Sequence, residues 1–442
     1  MSFHKKFCNW ASQKKIKINK VTYKRAENAL IDTLACIHSG VKEKQSKVAL
    51  KYCLENNNSG KIKIFGGGGG KLSISAASFL HGVRSASTDF DDYEYVAGSH
   101  PSAPIFSALI SIAQTKNISV EETYQGWVVG YELIIKLGQA LSYDHYYKGW
   151  HSANTIGVVG TTAAVSKVLK LNAVQMANAI SIATSFSSGL KQQFGTDIKA
   201  FHIGFAAQAG IQSALLAKNG GTANQDIWNI ERGFIELYGS KFSKKLNNNF
   251  KKSDLGNAIV KFPNFIKFWP VCSYSQRVIQ GGLILNKKIF IKKNIKSITI
   301  EFPEPWFRVS KFHLPKNSTE ARFSLSYCLA TAIIKGKFDL SSLNISNNKK
   351  SLNMAKKIKL VTYKVPNNFK DYDPKYPDKI KVIMNDGSKL IEKISYIKGG
   401  KNNPLKDQDI DNKFLMCGGK KNILNKIRNQ KNKKKNLNEI IF

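Results

Sequence analysis

Apolar residues recur at helical spacing through roughly the first 260 positions. Thr22 to Gly40 sets Ala26, Leu30, Leu34 and Ile37 on one stripe, with Gly40 where a left-handed cap is expected. Pro104 opens an apolar helix through Ala113, at a position where proline is tolerated. Ser119 and Glu122 form a capping box ahead of Tyr124, Trp127, Val128 and Tyr131, and Asn172 with Gln175 starts another helix through Ile180 and Ala183. Two segments are rich in small residues. One carries Gly157, Gly160, Thr161, Ala163 and Ala164, the other Gly204, Ala206, Ala207, Ala209 and Gly210. They predict helices whose backbones approach closely.

After about residue 290 the period changes. Ile298, Ile300 and Phe302 alternate as in a strand, a helix is expected from Glu320 to Ile334, and Ile358 to Val365 is a further strand candidate. Ile380 to Met384 and Leu390 to Tyr396 flank Asn385-Asp386-Gly387-Ser388, a strong hairpin signal. From Asp407 the pattern is helical again, ending in a Lys/Asn-rich stretch from Lys420 to Lys435 that reads as solvated and poorly ordered. The chain is therefore expected to be mainly α. Residues 1–262 form a large helical domain, 263–396 an inserted α+β domain, and 397–442 return to the helical part.

A chain of 442 residues suits two domains. Its six cysteines are scattered with no C-x-x-C pair, which argues against a disulfide scaffold or zinc ribbon and for a reducing compartment. No apolar h-region opens the chain and no run approaches a membrane span, so a cytoplasmic protein with no membrane partner is expected. The formal charge of +38 alone points to nucleic acid. Its lysines, however, are spread throughout and mixed with Asn and Ile, without an RNP-like strand, zinc finger or basic heptad. They are read as solvated faces; a non-catalytic or nucleic-acid-binding basic protein is the alternative of another class.

Gly66 to Gly70 imitates a phosphate loop, but Phe65 and Leu72 stand where that motif needs Gly and Ser/Thr. It is expected to be a turn before a helix from Leu72 to Val83. The chemistry-bearing residues come in order as Asp89-Phe90-Asp91-Asp92, His100-Pro101-Ser102, Gly149-Trp150-His151, Lys199 to Gly204 and Lys267 to Cys272. No two histidines stand four apart beside a carboxylate, so no metal site is read here.

In that order, together with Ala29 to Leu34, His81-Gly82, Gly233-Phe234, Phe323 to Tyr327, Asp386-Gly387, Asn403-Pro404-Leu405 and Lys413-Phe414, these segments resemble the MmgE/PrpD family. That family includes 2-methylcitrate dehydratase, cis-aconitate decarboxylase and an iminodisuccinate epimerase. The resemblance implies a helical domain built from both chain ends, a smaller α+β lid, a homodimer, and a pocket between the domains. It places Asp89, His100, His151, Lys199 and Lys267 in that pocket as catalytic candidates. Lys199, Lys267, Gln276 and Tyr93 are the substrate-binding candidates. Four departures fall around it: His81 for a usual Asn, Ala86 for a common His, Tyr93 for Thr, and Gln276 for His.

Dehydration, decarboxylation and epimerisation of such acids all build electron density on a carbon next to a carboxylate. Lysines can neutralise that charge, and an imidazole with an ordinary pKa near ~6.5 can move the proton at neutral pH. Asp89 could fix an imidazole tautomer or keep a lysine charged, and His100 is a second acid. No cofactor is needed. The expectation is a cofactor-free lyase or isomerase on a small polycarboxylate, foremost a 2-methylcitrate dehydratase-like hydro-lyase, with decarboxylase or epimerase as alternatives. His151 is further expected to sit at the start of the small-residue helix, whose amides could meet an anion.

Overall fold

In the computed structural model, residues 2–442 are described except 57–59, 69, 241–242, 245, 247–253 and 367–371. Contacts divide the chain into two units: Met1–Gln193 with Asp197–Asn264 and Lys406–Phe442, and Phe194–Thr196 with Phe265–Leu405.

The first unit is helical apart from a short hairpin. Its long helices include α1 (Lys20–Gly40), α2 (Ile74–Ala86), α3 (Ser102–Ala113), α4 (Val120–Leu141), α5 (Gly157–Val168), α6 (Ala173–Ala183) and α7 (Ile198–Lys218). The two capping boxes form as expected, Ser119 with Glu122 and Asn172 with Gln175. The small-residue helices do cross closely. A Cβ on Gly82 of α2 would lie 2.7 Å from Gly204 Cα of α7, and one on Gly130 of α4 would lie 2.6 Å from the Gly160 carbonyl of α5. Real Cβ atoms do not pack that near, so glycine permits both crossings.

Three local expectations need correction. Gly40 is not a left-handed cap; it ends α1 where a Cβ would meet the Arg84 carbonyl at 2.0 Å, so helix proximity demands it. Leu72 is not helical. The glycine run links two short antiparallel strands, β1 (Ile62–Lys63) and β2 (Lys71–Leu72), and α2 starts only at Ile74, where the Ser73 side chain caps the Ala76 amide. Gly69 lies outside the described residues. The Lys/Asn-rich tail is ordered: helix Lys421–Arg428 and the 3-10 turn Gln430–Lys434 lead to a bridge in which Val120 donates to Lys435 and Leu437 to Ile118. Leu437, Ile440 and Ile441 are buried, and Arg428 pairs with Glu27 and Asp411 at 2.5 Å each. These apolar anchors and ion pairs outweigh the composition.

The second unit is α+β. Its sheet runs β4 (Ile358–Tyr363), β3 (Ile295–Pro303), β5 (Asp378–Met384), β6 (Lys389–Ile394), with β3 and β4 parallel and the other pairs antiparallel. The β5–β6 hairpin turns where Gly387 adopts φ +85°, the left-handed conformation that favours glycine. Helix Gln276–Lys288 lies on the face bearing Ile380 and Ile394, close enough that a Cβ on Gly281 would touch Ile380. The expected helix from Glu320 is broken at Arg322–Ser324 into Ser318–Ala321 and Leu325–Lys335, the second capped by Ser324.

Candidate functional site

The loop after α2 carries the acids. Asp89 takes φ 52°, a left-handed conformation that Asp tolerates better than most residues, and its amide donates to the Ala86 carbonyl. The Asp89 carboxylate lies 2.6 Å from Lys199 Nζ, and both side chains are buried. Lys199 stands in the first turn of α7, an end that disfavours cations, so Asp89 offsets both the helix dipole and desolvation.

His100 is fixed by the same loop. Its Nδ1 lies 2.8 Å from the Asp92 carbonyl and 3.0 Å from Asp91 Oδ2. A carbonyl only accepts, so Nδ1 carries the hydrogen and, in the neutral ring, Nε2 is the basic nitrogen. Asp92 accepts from the Ser102 amide, the Ser102 hydroxyl at 2.5 Å and the Asn264 amide at 2.6 Å. Burial, reinforced by Asp32, still pushes its carboxyl up to about 7. The Tyr93 ring packs against His100 and its hydroxyl meets that of Tyr143 at 2.5 Å.

His151 continues the row. Its ring centroid lies 6.4 Å from that of His100, and its Nδ1 is 2.9 Å from Nδ1 of His202. Its amide donates to Gly189 and its carbonyl accepts from Asn154 and Thr155. The helix that follows is a four-residue turn, Ser152–Thr155; α5 begins only at Gly157. His151 therefore precedes the small-residue helix without starting it, because the short turn ends at Ile156. Nor does it titrate near neutrality. Burial, then His202, Lys199 and His100, hold its pKa well below the ordinary value, against a smaller opposing pull from Asp89.

Asp89 and Lys199 are thus paired, and Tyr93, His100 and His151 are brought into one row. Lys267 and Gln276 belong to the second unit. Lys267 is wholly buried. Gln276, expected to bind substrate, has its amide engaged by backbone: Oε1 accepts from the Trp269 amide, and Nε2 donates to the Trp269 and Val271 carbonyls. Its evident role is to shape the segment after Lys267. His81 likewise holds a loop, accepting from the Phe65 amide through Nε2 and contacting Ser111 through Nδ1.

Sequence reasoning passed over His202, Asp91, Asp32 and Lys413 as site residues. His202 could have been found, since it stands three residues after Lys199 and so shares its helix face. Lys413 could not. It reaches back from helix Asp407–Met416 to Asp32 at 2.6 Å and to the Phe90 carbonyl at 2.7 Å, securing the acidic loop from the far end of the chain.

Among the described residues no group of three or more His, Cys, Asp or Glu side chains could hold a metal ion, and no helix is long and apolar enough to cross a membrane. The six cysteines are buried and unbridged.

Among characterised proteins, the human cis-aconitate decarboxylase is 25% identical over 401 residues, covering 88% of this chain and 82% of its own. The Aspergillus terreus cis-aconitate decarboxylase is 24% identical over 441 residues, covering 93% of this chain and 88% of its own. Residues 5–247 match the MmgE/PrpD N-terminal domain and residues 269–438 the MmgE/PrpD C-terminal domain. Two adjoining matches that take in Asp89, His100, His151, Lys199 and Gln276 place the chain in the MmgE/PrpD family.

Proposed function

We propose that the chain is a cofactor-free lyase that removes carbon dioxide from a small unsaturated tricarboxylate, cis-aconitate or a close analogue. The supporting observation is the buried row His100–His151–His202 beside the Lys199–Asp89 pair. The relatives' decarboxylase names shift the expectation from water elimination to loss of carbon dioxide. In this reading Lys199 neutralises a substrate carboxylate. Loss of the carboxylate borne on the saturated carbon beside the double bond leaves its electron pair in conjugation with that bond, and the double bond shifts as a second carboxylate at its far end spreads the charge as an enolate. His151 supplies the proton that forms the new C–H bond, and His100, with Nδ1 tied, offers Nε2 as a base. Lys267 is proposed to add a second cation.

The test is incubation of the protein with cis-aconitate, 2-methylcitrate and related acids in D2O, followed by NMR. Carbon dioxide release with deuterium in the product supports the reading. Water elimination from 2-methylcitrate alone would move it to a hydro-lyase, and exchange without either to an epimerase. The same reading takes the enzyme to be cytoplasmic and homodimeric. The exposed Phe205 and Leu216 on α7, and the exposed Tyr52, which packs on the same Phe79 ring as Phe205, support a helical-unit interface. Light scattering showing a monomer at micromolar concentrations would count against it.

A further inference from the structure

His202 lies on α7 three residues beyond Lys199, and its Nδ1 is 2.9 Å from Nδ1 of His151. Both rings are buried, His151 at 1% and His202 at 6% exposure. A hydrogen bond between two Nδ1 atoms needs an N–H on one side and a bare lone pair on the other. Two neutral rings so joined must therefore hold opposite tautomers, one protonated at Nδ1 and the other at Nε2. Neutrality is the state their surroundings favour: burial and Lys199 hold His202 down to about 4, and His151 is held well below its ordinary value.

We propose that His202 is the proton-relay partner of His151, refilling Nδ1 of His151 as Nε2 of His151 protonates the substrate. This rests on the lyase reading above. At the start His151 carries hydrogen on Nε2 and His202 on Nδ1. The bond to the departing carboxylate breaks, carbon dioxide leaves, and the electron pair stays on the substrate. That pair forms a C–H bond with the proton from His151 Nε2. The Nδ1 proton of His202 moves to Nδ1 of His151, and a solvent proton takes its place at Nε2 of His202. One proton passes from the pair to the product and one solvent proton enters the pair, and neither ring becomes a cation. A lone His151 would have to be charged first, facing Lys199 and His100, with Asp89 as the smaller opposing charge. The pair resets when product leaves and water exchanges protons at both outer nitrogens.

The strap over His202 fits this role. Gly189, at φ +109°, accepts the His151 amide through its carbonyl, and a Cβ there would lie 3.2 Å from His202 Nε2. Any larger residue would crowd the nitrogen through which the relay refills.

Two measurements test the proposal. Nitrogen-15 NMR of histidine-labelled protein without substrate, at pH 7, should show His151 and His202 neutral in opposite tautomers, assigned with His202→Asn. Identical tautomers, or a charged ring, would overturn the relay, whatever the substrate proves to be. With cis-aconitate as the probe, His202→Asn keeps a donor facing His151 but cannot pass a proton. It should lower kcat by about tenfold or more, leave KM within about twofold, and turn a curved proton inventory linear. A variant with wild-type kcat and an unchanged inventory would sink the idea. Should even the wild-type protein fail to turn over the probe while the opposite tautomers are seen, the substrate reading fails and the proton pair stands.

Discussion

Two buried lysine–aspartate pairs of the helical unit have the same 2.6 Å length and different company. Lys413, paired with Asp32, also donates to the Phe90 carbonyl and lies over the Phe90 ring at 3.7 Å. Burial opposes its charge, yet Asp32 holds its pKa above the ordinary lysine value. Lys199, paired with Asp89, instead acts electrostatically on two imidazoles, His151 and His202. The first pair is tied to a backbone carbonyl and an aromatic face, with Asp92 and the buried thiols Cys36 and Cys417 as its titratable neighbours, and serves as a fastening. The second faces His151 and His202, the imidazoles that carry the proton in the proposed reaction.

The largest effect should come from breaking the fastening. Lys413→Met leaves Asp32 buried without that cation and should cost about 3–5 kcal/mol of stability, read by chemical denaturation. Adding Asp32→Asn should restore part of it; a wild-type midpoint in the single variant would erase the contrast. Next, Lys199→Ala and His151→Ala should each lower kcat by about 10² or more, with folding checked by circular dichroism. Near-normal turnover in both would remove the site.

Acid sharpens the contrast further. Burial is the leading cause that holds His4, His38, His145 and His202 at about 4, His81 at about 3 and His151 well below its ordinary value. Each has a folded pKa below its unfolded value of ~6.5, so the unfolded chain binds more protons between about pH 4 and 6.5. Their contribution is complete above that window and is lost as pH falls through it. Asp92 and Asp378, raised by burial to about 7, have the opposite sign, as do Glu94 and Glu132. The histidines outnumber them, so the melting temperature should fall from pH 7 to pH 5; a rise would refute this balance. The smallest effect is expected of His313→Ala. This exposed residue lies in the other unit, and its loss should change stability by no more than about 0.5 kcal/mol and leave turnover unaltered.

What was legible in the sequence was local. Ser119 with Glu122 and Asn172 with Gln175 announce helix starts because each box closes within one turn. The Asn385–Ser388 turn announces its hairpin for the same reason. The small residues announced close crossings, although Gly40 was misread because its reason for being glycine, the Arg84 carbonyl, lies on another helix. The ordered family segments led to Asp89, His100, His151 and Lys199. They did not reveal the depressed His151, because burial by distant helices sets its proton affinity. The tail misled through composition, since its few apolar anchors and Arg428 carry more weight than its lysines.

The Lys413–Asp32 pair also has a consequence for synthesis. Asp32 leaves the ribosome about 380 residues before the cation that neutralises it. At roughly 5–20 residues per second that interval is on the order of tens of seconds. Throughout it the nascent helical part carries a core acid with no countercharge from Lys413. The acidic loop therefore cannot reach its final arrangement until Lys413 has been made. Chains released early should be cleared as unfinished rather than persist as partly active enzyme.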